Sequence, residues 1–149
     1  MKKFKDKRGF TLVEVLVVVA IIGILTAVSI PRVVQNIDKA KVAKIITKYD
    51  AFKKATINNM GSSKIKLDKE LIEAITSEVN RVPEKTPIGG KYKLTSIENE
   101  NISWQVALGI VDLDNTISIT DKKFKQLVKI LGNTNVVIQD NALYIKIVD

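Results

Sequence analysis

Two residue types are missing from this 149-residue chain: it has no cysteine and no histidine. Without cysteine there is no disulfide and no thiolate-based zinc or redox site. Without histidine the commonest general base and the usual transition-metal ligand are gone. An exported domain of this composition must be held together by packing alone. Nucleophile motifs are also lacking, and no pair of carboxylates has a reason to differ in acidity. An enzyme is therefore not expected, nor is a cofactor or a metal site.

Charge of one sign is in excess, but unevenly. The net charge is +8. The stub Met1–Gly9 carries Lys2, Lys3, Lys5, Lys7 and Arg8 against Asp6, so half of that excess lies ahead of Phe10. A basic stub before an apolar stretch stays on the cytoplasmic side of a membrane. The basic balance is thus a poor argument for a nucleic-acid partner.

What the chain has is one long apolar run. Phe10 to Ile30 is 21 residues long and carries a single charge, Glu14. A helix of that length spans about 31 Å, close to the hydrocarbon thickness of a bilayer. A secretory signal keeps its cleavage site downstream of its apolar stretch and loses that stretch on processing. Here the candidate cleavage site, Gly9, lies upstream, so cleavage leaves the apolar helix on the mature chain. Glu14 sits one turn inside it. A lone acid in hydrocarbon costs on the order of 3 kcal/mol and needs a partner. The freed α-amine of Phe10, on the same or a neighbouring copy, is a candidate, and such a pair would select one axial register between packed helices.

Proline at 31 closes the apolar run without necessarily ending the helix, because neighbouring groups can satisfy the freed carbonyl. Helical spacing resumes at once, with Val42, Ile45, Ile46, Tyr49 and Phe52 on one face and Lys44, Thr47, Asp50, Ala51 and Lys54 on the other. The pattern predicts one long, bent helix from about Phe10 to about Asn58, stopped by Asn58–Ser63. A second helix is predicted from Asp68, with Leu71, Ile72, Ile75 and Val79 as its apolar stripe. Strands follow around Tyr92 and Leu94, then over Ile102–Ile110, where Ile102, Trp104, Val106, Leu108 and Ile110 alternate with smaller or polar residues. A short strand around Ile117 and Ile119 leads to a third helix carrying Phe124, Leu127, Val128 and Leu131, with Gly132 as its C-cap. A hairpin turning at Asp140-Asn141 ends the chain. The fold class predicted is α+β: a long N-terminal helix packed against a small antiparallel sheet with short extra helices.

The run Arg8-Gly9-Phe10-Thr11-Leu12-Val13-Glu14, with Gly23 and Pro31 further along the helix, resembles the amino terminus of type IV pilins and of the pseudopilins of competence and type II secretion. The resemblance is specific over roughly the first fifty residues. It implies removal of residues 1–9 by a membrane prepilin peptidase after Gly9, N-methylation of Phe10, and Glu14 as the acid that guides subunit entry into a filament. Gly23 and Pro31 match places where pilin helices loosen or bend. Residues 10–30 would then be the transmembrane and filament-core helix, and 31–149 the head with the second half of the long helix. The implied partners are other pilin subunits, the peptidase, the assembly platform with its ATPase, and the membrane. The subunit is expected in the cytoplasmic membrane first and in an extracellular pilus or pseudopilus after assembly.

Many pilins staple the C-terminal region with a disulfide, which this chain cannot do. That favours a type IV pilin of the Gram-positive kind over the disulfide-looped Gram-negative kind. Pro87-Ile88-Gly89-Gly90-Lys91-Tyr92 resembles a Gly-Gly-aromatic loop of some pilin heads, and equally reads as a turn needing positive φ. Secretion pseudopilins often hold calcium, and Asp112, Asp114 and Asn115 offer oxygens. The twelve-residue calcium-loop pattern is absent, however, and a solvated turn is the simpler reading. Lysines of the long helix (Lys39, Lys41, Lys44, Lys48, Lys53, Lys54) read as its solvated face, so nucleic acid is not an expected partner. The alternative function is a minor pilin or pseudopilin whose head is a binding module for a surface, DNA or secretion cargo.

Overall fold

The computed structural model describes residues 9–60, 67–79, 82–83, 85–99, 101–111 and 121–148. The basic stub to Arg8, the helix stop at Gly61–Ser63, the strand expected at Ile117 and Ile119, and the oxygens of Asp112, Asp114 and Asn115 lie outside them. The chain forms two compact units, one ending at Ile37 and the other Asp38–Asp149.

Helix α1, Leu12–Met60, has 49 residues and runs through Pro31 without interruption of its helical assignment. Its residues up to Ile37 bury no side chain. From Asp38 the helix is amphipathic, and Val42, Ile45, Tyr49, Phe52 and Ala55 are buried at spacings of three and four, the period that puts side chains on one helix face. Ile46 joins them at the rim, as does Ala51, which the helical spacing alone places on the polar side.

The second unit is built on that stripe. Helix α2, Lys69–Glu78, starts where Asp68 accepts the Leu71 N–H at 2.8 Å, which satisfies one of the donors a helix start leaves unpaired. Leu71 and Ile75 are its buried residues. Helix α3, Lys122–Leu131, begins in the same way, with Asp121 accepting the Lys123 N–H at 2.7 Å. It stops at Gly132, whose φ of +88° suits glycine and whose N–H returns to the Val128 carbonyl.

The four strands β1 (Lys91–Asn99), β2 (Ile102–Val111), β3 (Val136–Gln139) and β4 (Ala142–Val148) form one antiparallel sheet in the order β1-β2-β4-β3. The β3–β4 hairpin turns at Asp140 and Asn141, both at positive φ (49° and 57°), the backbone that two-residue hairpin turns require and that Asp and Asn tolerate. Before β1, Gly89 and Gly90 also lie at positive φ, and Thr86 bonds both of their carbonyls. The Gly-Gly loop is a turn held by Thr86.

One face of the sheet contributes Leu94, Val106, Leu108, Ile110, Leu143 and Ile145 to the same cluster as the α1 stripe and Leu71, Ile75 and Leu127. Tyr49 on α1 also donates its hydroxyl hydrogen to the Lys146 carbonyl at the sheet.

Strict alternation along β2 places Trp104 on that face, and the structure corrects this. Thr95 pairs with Ala107, but Ile97 pairs with Trp104, so β2 uses three steps where β1 uses two. The extra residue is a β-bulge, which reverses the facing of everything beyond it. Trp104 therefore packs with Ile97 and Ala107, and with the half-buried Ile102, Val137 and Tyr144, in a second small cluster.

Gly109 explains how the centre of that second face is closed. A methyl group added there would lie 3.1 Å from the Tyr144 ring and 3.2 Å from the Lys93 carbonyl. The Tyr144 side chain thus lies over its cross-strand partner Gly109, covering backbone that glycine leaves open.

Candidate assembly site

The start of α1 is organised by two side chains. The carboxylate of Glu14 accepts the Thr11 N–H at 2.7 Å and the Thr11 hydroxyl at 2.8 Å. In return the Thr11 hydroxyl accepts the Glu14 N–H at 3.3 Å. This reciprocal pattern is a capping box, in which the residue before the helix and the third residue within it satisfy each other's backbone donors. Glu14 thus has a partner inside its own chain. Sequence reasoning missed Thr11, although the Thr-x-x-Glu spacing at the start of an apolar run is the sequence signal for this device. The bonds also place Glu14 beside the segment Gly9-Phe10, both exposed, with the Phe10 side chain 87% accessible.

Beyond the cap the helix is apolar on all sides. Its best 18-residue stretch has a mean hydropathy of 2.7, long and apolar enough to cross a membrane, and none of it is buried. A helix greasy on every face is suited to lipid or to burial among other helices.

Gly23 lies within this stretch, and beyond the backbone of its own helix turns nothing described lies within 4 Å of where a Cβ would stand. Its glycine identity is therefore not required by packing within one chain. It lowers the local helix propensity by about 1 kcal/mol relative to alanine. Eight residues on, Pro31 sits inside the helix and supplies no N–H to the turn before it. Between them Thr26 donates to the Ile22 carbonyl at 2.7 Å and Ser29 to the Leu25 carbonyl at 2.8 Å. Hydroxyls bonded back in this way compete for helix carbonyls and favour bending. Gly9, Phe10 and Glu14 are thus gathered at the helix start, whereas Gly23 and Pro31 lie within it. The metal reading of Asp112, Asp114 and Asn115 falls outside the described residues.

A family model for the prokaryotic N-terminal methylation motif matches residues 4–30, the stretch that holds the cap and most of the apolar helix. A fimbrial protein of Moraxella nonliquefaciens is 31% identical over 118 residues, covering 78% of this chain and 71% of that one. The chain belongs to the type IV pilin and pseudopilin family. The type II secretion system core protein G of Vibrio cholerae is 35% identical over 95 residues, covering 62% of this chain and 65% of that protein. Among solved structures, the major type IV pilin PilA1 from Clostridium difficile superimposes with a TM-score of 0.57 at 23% identity, over 76% of this chain and 98% of that chain. That match shows a pilin fold: the long helix with a four-stranded antiparallel sheet. As a member of this family the chain is a structural subunit of a type IV pilus or related pseudopilus, which assembles with other pilins. The fully exposed apolar half of α1 is what such a subunit must bury.

Proposed function

We propose that the chain is cut after Gly9 by a prepilin peptidase, is N-methylated on Phe10, and is held in the cytoplasmic membrane by the apolar half of α1. An assembly platform driven by an ATPase then draws it into a filament exposed at the cell surface. One observation carries this reading: the helix from Leu12 to Ile30, capped at Thr11 and Glu14, presents apolar side chains in every direction. In the membrane those side chains are covered by lipid; in the filament they are covered by other copies. The exchange changes the surroundings of the helix and not its polarity, so extraction need not cross a large barrier of exposed apolar area.

Glu14 has the second role. In the free subunit its carboxylate is bonded to Thr11, which lowers the cost of holding an acid at the lipid boundary. In the filament the α-amine of Phe10, freed by cleavage four residues away, offers it a full charge. A carboxylate that is satisfied but not neutralised inside its own chain can be inserted and still discriminate register on assembly. Gly23 and Pro31 give the helix places to loosen as it changes partners.

Intact-mass spectrometry of the protein from its native membrane or sheared filaments tests the pathway. The expected product begins at Phe10 and is heavier by one methyl group. A chain still beginning at Met1 would contradict it.

A further inference from the structure

The head carries two helices whose outward faces are oppositely charged. In α3, Phe124, Leu127, Val128 and Leu131 turn to the core, and the helical period then puts Lys122, Lys125 and Lys129 together on the opposite side. All three are exposed. In α2, Leu71, Ile72 and Ile75 take the core side, and Glu70 and Glu73 share the outward face, with Lys69 at its edge. Among the described residues neither the three lysines nor the two glutamates have an ion pair.

The two helices are fastened to opposite ends of the head part of α1. Lys123, beside the lysine stripe, reaches Asp38 at 4.0 Å. Glu78, at the end of α2, accepts from Asn58 at 2.7 Å and from Asn59 at 2.8 Å. Between Asp38 and Asn58 the helix rises about 30 Å. No ion pair joins the two faces among the described residues, so they do not satisfy each other within one copy.

Each end also leaves one apolar side chain uncovered. From Asp38 onward, Ile57 and Ile130 are the large hydrophobic residues that stay exposed among those described, at 56% and 59%. Ile130 borders the lysine stripe; Ile57 immediately precedes Asn58, the partner of Glu78. Each end thus carries one exposed isoleucine, Ile130 next to the lysines of α3 and Ile57 next to the residue that anchors the end of α2.

An open helical assembly is made by heterologous contacts, in which one surface of a copy meets a different surface of the next. We propose that the Lys122–Lys125–Lys129 face of α3 docks on the Glu70–Glu73 face of α2 in a neighbouring copy, with Ile130 covered at that contact. The inference rests on the subunit reading above and adds to it which head surfaces meet. A polyanion such as DNA fits the same lysines less well. The stripe has no exposed aromatic side chain on which a base could stack, and a phosphate backbone gives Ile130 nothing to pack against.

Because the chain has no cysteine, the contact can be tested by site-directed crosslinking in full-length filaments. Glu73→Cys and Lys125→Cys are combined in one chain, expressed in a host with the native assembly machinery, and treated with a short bis-maleimide. The expected result is a ladder of dimers, trimers and longer species under denaturing conditions, with each single variant staying monomeric. Normal filaments in which the double variant also stays monomeric overturn the proposal. A charge exchange gives a second readout. Lys125→Glu with Lys129→Glu lowers filament yield roughly tenfold or more, because like charges then face each other, and adding Glu70→Lys with Glu73→Lys restores it. If the lysine reversals leave assembly intact but abolish retention on immobilised DNA, the face serves a polyanion and the proposal is wrong. A host that makes no filament from the unsubstituted chain refutes the subunit reading itself, an outcome distinct from uncrosslinked filaments.

Discussion

The hydroxyl of Tyr49 on α1 donates a 2.9 Å hydrogen bond to the backbone carbonyl of Lys146 on β4. The two residues are 97 apart in the chain, and the bond fixes how far along the sheet the helix sits. The rest of the α1 stripe is apolar and non-directional, so sliding by a turn would cost area only where packing is imperfect. A directional bond at one end pins the register that packing leaves loose.

Replacing Tyr49 with Phe keeps the ring and loses that bond. The expected cost is about 1 kcal/mol of head stability, read as a lower denaturant midpoint for the full-length protein in detergent. An unchanged midpoint would show that the Lys146 carbonyl finds an equivalent donor.

Tyr92 behaves differently. Among the described residues its buried hydroxyl has no partner, its ring packs against Phe52 at 6.0 Å, and burial pushes its pKa up to about 12. Tyr49 is raised too, by burial first and by the neighbouring charge of Asp50 second. A phenol whose pKa is higher folded than unfolded favours folding below the unfolded value, and that preference is lost as pH rises through the folded value. Stability should therefore fall between about pH 10 and pH 12. Tyr92→Phe should reduce that fall and be neutral or mildly stabilising at pH 7, since it removes an unpaired buried hydroxyl. Denaturation of both chains across this range checks it.

Gly109→Ala should destabilise the head by roughly 1–3 kcal/mol, because its methyl would meet the Tyr144 ring at 3.1 Å and the Lys93 carbonyl at 3.2 Å. The double variant Gly109→Ala with Tyr144→Ala relieves only the side-chain clash, so the two losses should be less than additive. Additive losses in thermal unfolding would show that Tyr144 and Gly109 do not share one packing site.

At the helix start, cap and charge can be separated. Thr11→Ala removes the hydroxyl of the capping box and should cost about 1 kcal/mol locally, with filaments still formed. Glu14→Gln keeps an acceptor for Thr11 but loses the charge; Glu14→Ala loses both. Both Glu14 variants should insert in the membrane and assemble poorly. Normal incorporation of either into sheared filaments would remove Glu14 from register selection.

Much of this was legible in the sequence because the signals are local. The spacing of Val42, Ile45, Tyr49 and Phe52 predicts the buried stripe, Asp68 and Gly132 mark helix ends, and Asp140-Asn141 marks the hairpin. Alternation alone puts Trp104 on the wrong face, because a bulge is a property of two paired strands. Alternation along Ile102–Ile110 holds in composition, and only the partner Ile97 reveals the extra residue. Tyr49 bonding Lys146 was likewise invisible, since nothing in either neighbourhood encodes a contact 97 residues away. Thr11 is a local signal as well, since Thr-x-x-Glu at a helix start encodes the cap that satisfies Glu14 within its own chain.

The most direct test of this assembly is a helical reconstruction of filaments sheared from cells that express this chain. Leu12–Ile30 of neighbouring copies should pack together along the filament axis, with the carboxylate of Glu14 close to the amine of Phe10. Filaments whose core excludes that segment, or leaves it facing solvent, would contradict it.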